Sequence, residues 1–142
     1  MTAMQFQDVP ITQLIPQRPP FVMVDRIVSC DATDAVAEFT VHEDNIFLDD
    51  MLLSAAGIIE NMAQSCAARM GCISMMAGGP IKIGYIGDIR NCTVNRQPRQ
   101  GEVLTTHVHV MEEVFNLTLA EVKTMCGDEV IATARMKIAL TD

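Results

Sequence analysis

Apolar and polar positions alternate along most of this chain, with one long interruption. "FVMVDRIVSC" (21–30) and "DAVAEFTVHED" (34–44) carry the two-residue period of strands, and "DATD" between them supplies turn residues. That predicts a hairpin. Pro16, Pro19 and Pro20 stop a helix ahead of it. From Ser54 the pattern changes: "SAAGIIENMAQSCAARMG" is small and apolar nearly all round. It predicts a helix to about Gly71, roughly 27 Å long and buried on most sides. Asp49, Asp50 or Ser54 can cap its start, and Gly71 can end it. After "MMAGGP" the pattern is strand-like again, through "IKIGYIGDIRNCTV", "VLTTHVHVMEEV", "FNLTLAEVKTM" and "EVIATARMKIAL". "RQPRQGE" and "CGDE" are the turns among them. Val108 and Val110 face one way, and His107 and His109 the other. The layout is two strands, one long central helix, then an antiparallel meander. A single α+β domain over 1–142, with a sheet curled around one helix, satisfies every piece.

Composition supports that picture. The chain has 142 residues and is 49% hydrophobic, enough for one sizeable core. A net charge of −8 argues against unassisted binding to nucleic acid. Lys82, Arg90, Arg96 and Arg99 nevertheless fall in one short segment opposed only by Asp88, either a local docking patch or a solvated loop. Five cysteines without close paired spacing argue against a disulfide framework or a zinc site, and fit a reducing cytoplasm. "MTAMQFQDVPITQL" has no basic start followed by an apolar run, so no signal peptide is expected. No apolar run reaches the roughly 18 residues of a membrane span. Eleven methionines suggest a pliable interior, suited to core packing or to a long flexible ligand.

Candidate chemistry centres on Glu60, a carboxylate in the middle of the apolar helix. Glutamates are almost never fully buried unless paired. Glu60 therefore lines a cavity, meets a partner across an interface, or is held by hydrogen bonds. Gln64, one turn on, shares its helix face and can orient it. His42, Asp49 and Asp50 lie ahead of the helix and are further acid–base candidates, with surface and capping roles as the plainer readings. Cys66 reads as a buried inert thiol. His107 and His109 have a spacing that can hold a metal, but no third ligand is evident in the sequence.

The pieces "IPQRPPFVMVDRI" and "IIENMAQSCAA", in this order and spacing, resemble the hotdog-fold 3-hydroxyacyl-[acyl-carrier-protein] dehydratases. The likeness is closest to the dehydratase-like proteins of aryl polyene and related pigment pathways. "GYIGDIRNCTVNRQPRQGE" and "EVIATARMKIAL" continue it over nearly the whole chain. The resemblance implies a sheet wrapped round the helix and a dimer joined edge to edge, as a homodimer or with a related hotdog subunit. It implies an acyl thioester tunnel at the interface and an acyl carrier protein as partner, without cofactor or metal. By motif position Glu60 matches the family's helix glutamate and Gln64 the glutamine after it. Ala55, Ala56 and Gly57 occupy the helical turn whose backbone N–H groups meet the thioester carbonyl. In the family a histidine from one subunit faces the glutamate of the other, and that position here is Ile46. The histidine of the first motif is Gln17.

The expected function is accordingly dehydratase-like, with Glu60 as acid and base on a 3-hydroxyacyl thioester. The alternatives are a non-catalytic acyl-binding partner of a catalytic homologue, or a hotdog thioesterase in which Glu60 or an aspartate activates water. An acidic carrier needs a positive surface, and Arg90, Arg96 and Arg99 are the expected docking residues.

Overall fold

The computed structural model of the chain describes residues 6–141. Met1–Gln5, the start of the stretch inspected for a leader, and Asp142 lie outside the described residues. Two short 3-10 turns, Phe6–Asp8 and Ile11–Gln13, open the fold. The hairpin then forms, but its first strand starts later than the alternation predicts. β1 runs Arg26–Cys30 and β2 runs Asp34–Thr40, paired antiparallel. The Asp31 carboxylate builds their turn by accepting the backbone N–H groups of Thr33 and Asp34, both at 2.9 Å.

A two-residue hairpin pair, β3 (Leu48–Asp49) and β4 (Leu52–Leu53), leads into the helix α1, Ala55–Met76. Of the three possible caps the molecule uses Ser54, whose Oγ accepts the Gly57 N–H at 3.2 Å. Asp49 and Asp50 belong to the preceding hairpin and are exposed. The helix does not stop at Gly71. It continues to Met76, about 33 Å in all, and stops before Gly78, whose φ of +75° suits glycine. Gly71 serves packing instead. A Cβ there would lie 2.8 Å from the Leu14 Cα and closer still to its carbonyl oxygen. The N-terminal segment crosses α1 at this point, backbone on backbone.

The remaining strands are β5 (Ile83–Val94), β6 (Val103–Val114), β7 (Leu117–Cys126) and β8 (Glu129–Thr141). They complete a six-stranded antiparallel sheet in the order β1-β2-β6-β7-β8-β5. The expected meander holds for β6, β7 and β8, whereas β5 sits at the far edge against β8. Alternation reports which side chains share a face. It does not report which strands are neighbours, because that pairing is non-local.

The sheet wraps α1, and the arrangement is the hotdog fold. Ile58, Met62, Cys66 and Met70 of the helix pack among Leu104, Val108, Val122, Ala134 and Met136 of the inner sheet face. A second cluster joins Leu14, Ile15 and Ile27 to Ala68 and Cys72 on the other side of the helix. Among the described residues no helix is long and apolar enough to cross a membrane.

Gly71→Ala should cost about 1–3 kcal/mol, because the Leu14 backbone cannot yield as a side chain would. Gly79→Ala, with nothing within 4 Å of its Cβ, should be close to neutral. Urea unfolding of the two variants checks the contrast.

Candidate active site

The sheet of its own subunit does not cover α1 completely. Ala55 and Ala56 are exposed, and Ile59, Glu60, Ala63 and Ala67 are half-buried. Their three- and four-residue spacing makes them one lengthwise stripe on the helix. Glu60 is the only carboxylate on it. At the far end, Leu14, Ile15, Ala67, Ile81, Lys82 and Ile83 are among the residues lining a groove of about 230 Å³.

Gln64 holds Glu60 and is itself held. Its Nε2 donates to Glu60 Oε1 and to the Phe21 carbonyl, both at 2.8 Å, while its Oε1 accepts the Met23 N–H at 2.6 Å. All of its bonds fit a single orientation of the amide, so the N–H offered to Glu60 is fixed in direction. Asn61 completes the clamp from the buried side. Its Nδ2 donates to the Met23 carbonyl at 2.7 Å, and its Oδ1 accepts from Thr106 Oγ1 at 2.7 Å, which in turn meets Thr124 Oγ1 at 2.8 Å. The segment before β1 is thus bonded to helix side chains, which is why strand pairing begins only at Arg26. Sequence reading missed Asn61. Its signal was available: two amide side chains three residues apart inside an apolar run.

The first turn divides its donors. The Gly57 N–H is engaged by Ser54, and Gly57 packs tightly, with Phe47 Cβ 2.7 Å from where its own Cβ would be. Ala55 and Ala56, exposed at the helix start, keep N–H groups that a helix cannot satisfy internally. Ile46 is 45% exposed, next to Phe47 on the loop that abuts this turn. An alkyl side chain there neither gives nor takes a proton.

The other candidates separate from the stripe. His42 lies just past β2, 4.0 Å from Asp25 Oδ1, and packs edge-on against Phe39. Cys66 is buried, and burial pushes its thiol up to about 12, which makes it unreactive. His107 Nε2 and His109 Nδ1 both bond Asp34 Oδ1, at 2.7 and 3.0 Å. This is a hydrogen-bonded clasp across β2 and β6. Among the described residues no group of His, Cys, Asp or Glu is arranged to hold a metal ion.

The three arginines have different company. Arg96 is tied to Glu102 and Glu129, which hold its guanidinium well above the usual range. Arg90 pairs with Asp88 at 2.5 Å and is 75% exposed at its side chain. Arg90 also stands with Leu119, Arg135 and Lys137 around an open groove of about 350 Å³. Arg99 gives its backbone N–H to Glu102 at 2.6 Å and leaves its side chain exposed.

The wrapped helix thus carries a glutamate on its open face, held by a buried glutamine one turn on. The model of the ApeP-like family, described as ApeP dehydratase, matches residues 9–142, and the chain belongs to that family. Two curated relatives are 3-hydroxyacyl-[acyl-carrier-protein] dehydratases named FabZ. That of Clostridioides difficile is 28% identical over 138 residues, covering 93% of this chain and 95% of the relative. That of Fusobacterium nucleatum is 30% identical over 139 residues, covering 93% and 95%. Among solved structures, the dehydratase heterocomplex ApeI:P from Xenorhabdus doucetiae contains a chain that matches with a TM-score of 0.88 at 19% identity, over 94% of this chain and 92% of that one. Cj0977, a sigma28-regulated virulence protein from Campylobacter jejuni, matches with a TM-score of 0.69 at 15% identity, over 93% and 87%.

Gln64→Ala removes the bonds to Phe21, Met23 and Glu60 together. It should cost about 1–3 kcal/mol and speed hydrogen exchange at the Met23 amide, which heteronuclear NMR measures. Asp34 gives a pH test. Thr33 first, then His109 and His107, hold its carboxyl down to about 2 against the effect of burial. The folded value lies below the unfolded one, so this stabilisation is complete above about pH 4 and is lost as pH falls through about 2. A carboxylate NMR titration should find the low midpoint, and Asp34→Asn should flatten the acid limb of the stability curve.

Proposed function

We propose that the chain supplies the carboxylate half of a 3-hydroxyacyl-thioester dehydratase site, completed by a second hotdog subunit. The observation that carries this reading is the placement of Glu60. It is held by Gln64 on the one helix stripe that its own sheet leaves open, with Ile46 at the position of the family histidine.

Loss of water from a 3-hydroxyacyl thioester needs a base for the alpha proton and an acid for the departing hydroxyl. It also needs donors for the developing enolate oxygen. Glu60 protonates the hydroxyl as the C–O bond breaks, with Gln64 fixing its carboxylate. The N–H groups of Ala55 and Ala56 receive the thioester oxygen, with Gly57 closing the turn behind them. The acyl tail lies along Ala63 and Ala67 toward the groove at Ile81 and Ile83, about 10 Å away at 1.5 Å per residue.

A homodimer places Ile46 opposite each Glu60, and one carboxylate then has to perform both proton transfers on the same face. A related subunit that carries the histidine divides the two tasks. This makes a heterodimer the catalytic form, in keeping with the description of the ApeI:P complex as a dehydratase heterocomplex. The β5 edge, which exposes Ile83, Tyr85 and Ile89, is the docking edge for that second sheet. Carrier docking falls to Arg90 and Arg99, with Arg96 fastening their segment through Glu102 and Glu129.

The test uses the chain alone and mixed with a histidine-bearing hotdog partner, given 3-hydroxyacyl and enoyl thioesters. Turnover should appear in the mixture and fall about 10²–10⁴-fold in Glu60→Gln. Equal turnover by both forms sinks the assignment. Release of free acid would point to the thioesterase instead. Acyl binding without turnover would point to the non-catalytic partner. Charge reversal at Arg90 and Arg99 should weaken carrier binding while leaving small-thioester binding intact.

A further inference from the structure

The turn between β6 and β7 carries a residue poorly suited to its backbone. Val114 and Leu117 close the two strands, and Phe115 stands between them with φ +54°, fully exposed. Left-handed backbone is costly for a bulky residue, and glycine is what such a turn favours. The turn is anchored, since the Leu140 N–H donates to the Asn116 carbonyl at 2.9 Å. An aromatic ring is thus held out in solvent at a strained position, which points to a role outside the chain's own core.

The ring has apolar company. The pairing register sets Val114, Leu117, Ala139 and Tyr85 in one row across β6, β7, β8 and β5. Their chain neighbours Thr118 and Ile138 are buried, so the row lies on the outer face of the sheet. Val114, Leu117 and Tyr85 are 48%, 47% and 55% exposed. The next row on that face is Glu112, Leu119, Lys137 and Asp88. Among the described residues neither Glu112 nor Lys137 makes a salt bridge.

These rows complement a copy of themselves. A twofold axis laid along β7 above the outer face returns β7 to itself and exchanges β6 with β8. Leu117 and Leu119 then meet the same residues of the second copy. Glu112 meets Lys137, and Lys137 meets Glu112. Phe115 falls over Leu117 and Ala139 of the second copy. Farther along β7, Glu121 meets its own counterpart, with Arg135, its cross-strand neighbour, beside both. Twist makes facing sheets diverge away from their crossing, so contact concentrates at the hairpin end.

We propose that this end of the outer face is a self-docking surface, where a second copy of the chain packs through Phe115, Leu117 and Leu119 and is aligned by reciprocal Glu112–Lys137 pairs. The apolar centre supplies affinity and the charges fix the register. The surface lies on the side of the sheet away from α1, so it leaves the Glu60 stripe open and stands apart from the β5 edge.

The full chain is followed by size-exclusion chromatography with light scattering over a dilution series. The wild type should reach at least double the mass of Phe115→Gly, whose glycine suits the turn and keeps the fold. Glu112→Lys and Lys137→Glu should each lower the mass as Phe115→Gly does, and the double variant should restore it. Val103→Ser, at an exposed apolar position on the other end of β6, should leave it unchanged. Equal mass for wild type and Phe115→Gly, or a double variant no larger than the single ones, overturns the proposal. So does flotation with phosphatidylcholine vesicles that depends on Phe115 while the mass does not, which would assign the tip to a lipid surface.

Discussion

The chain passes from exposed Phe21 to fully buried Met23 before it gains a neighbouring strand, and a buried backbone must still have its polar groups bonded. Asn61 and Gln64 meet that demand by bonding both backbone groups of Met23 and the carbonyl of Phe21. Most else about the site follows from this clamp. It sets the helix in register with the first hairpin and buries Met23 and Val24. It also fixes one amide in place, and that amide has an N–H to spare for Glu60.

The same clamp explains how an acid can sit on an apolar helix. Glu60 does not enter the core of its own subunit. It stays half-buried at the margin, on a stripe bounded by the 21–23 segment. Away from Gln64, its surroundings are left open by its own sheet. Arg69, about two-thirds of the way along α1, solves the opposite problem with the Ala32 carbonyl, the Met70 sulfur and the half-exposed Glu113. The helix thus carries one charge near its open face and one in its depth, each needing a different kind of company.

Much of this was legible in the chain. The helix, both hairpin strands and the strand-rich second half follow from periodicity, and Glu60 and Gln64 stand out as polar residues in an apolar run. The misreadings share a cause. Gly71 looks like a stop signal, but its lack of a Cβ answers a backbone from the N-terminal segment. β1 looks longer than it is because buried extended chain has the same alternation whether its partner is a strand or a side chain. β5 was assigned by sequence order to the wrong neighbour. Asn61 and Arg69 act through contacts with residues far away in sequence, which local patterning does not reveal. The departure at Ile46, by contrast, was visible by counting back from Glu60.

The pairing of β5 with β8 has a consequence for how the chain acquires this structure. β5 follows the helix directly, yet its partner is the last strand of the sheet. A strand that emerges early but waits for a late one lengthens the loops that must close, and such topologies fold slowly. During synthesis β5 would be an unpaired ribbon with apolar Ile83, Ile86 and Ile89 on display, open to mispairing until β8 arrives. For this fold, the order in which the chain is made and the order in which the sheet is built run in different directions.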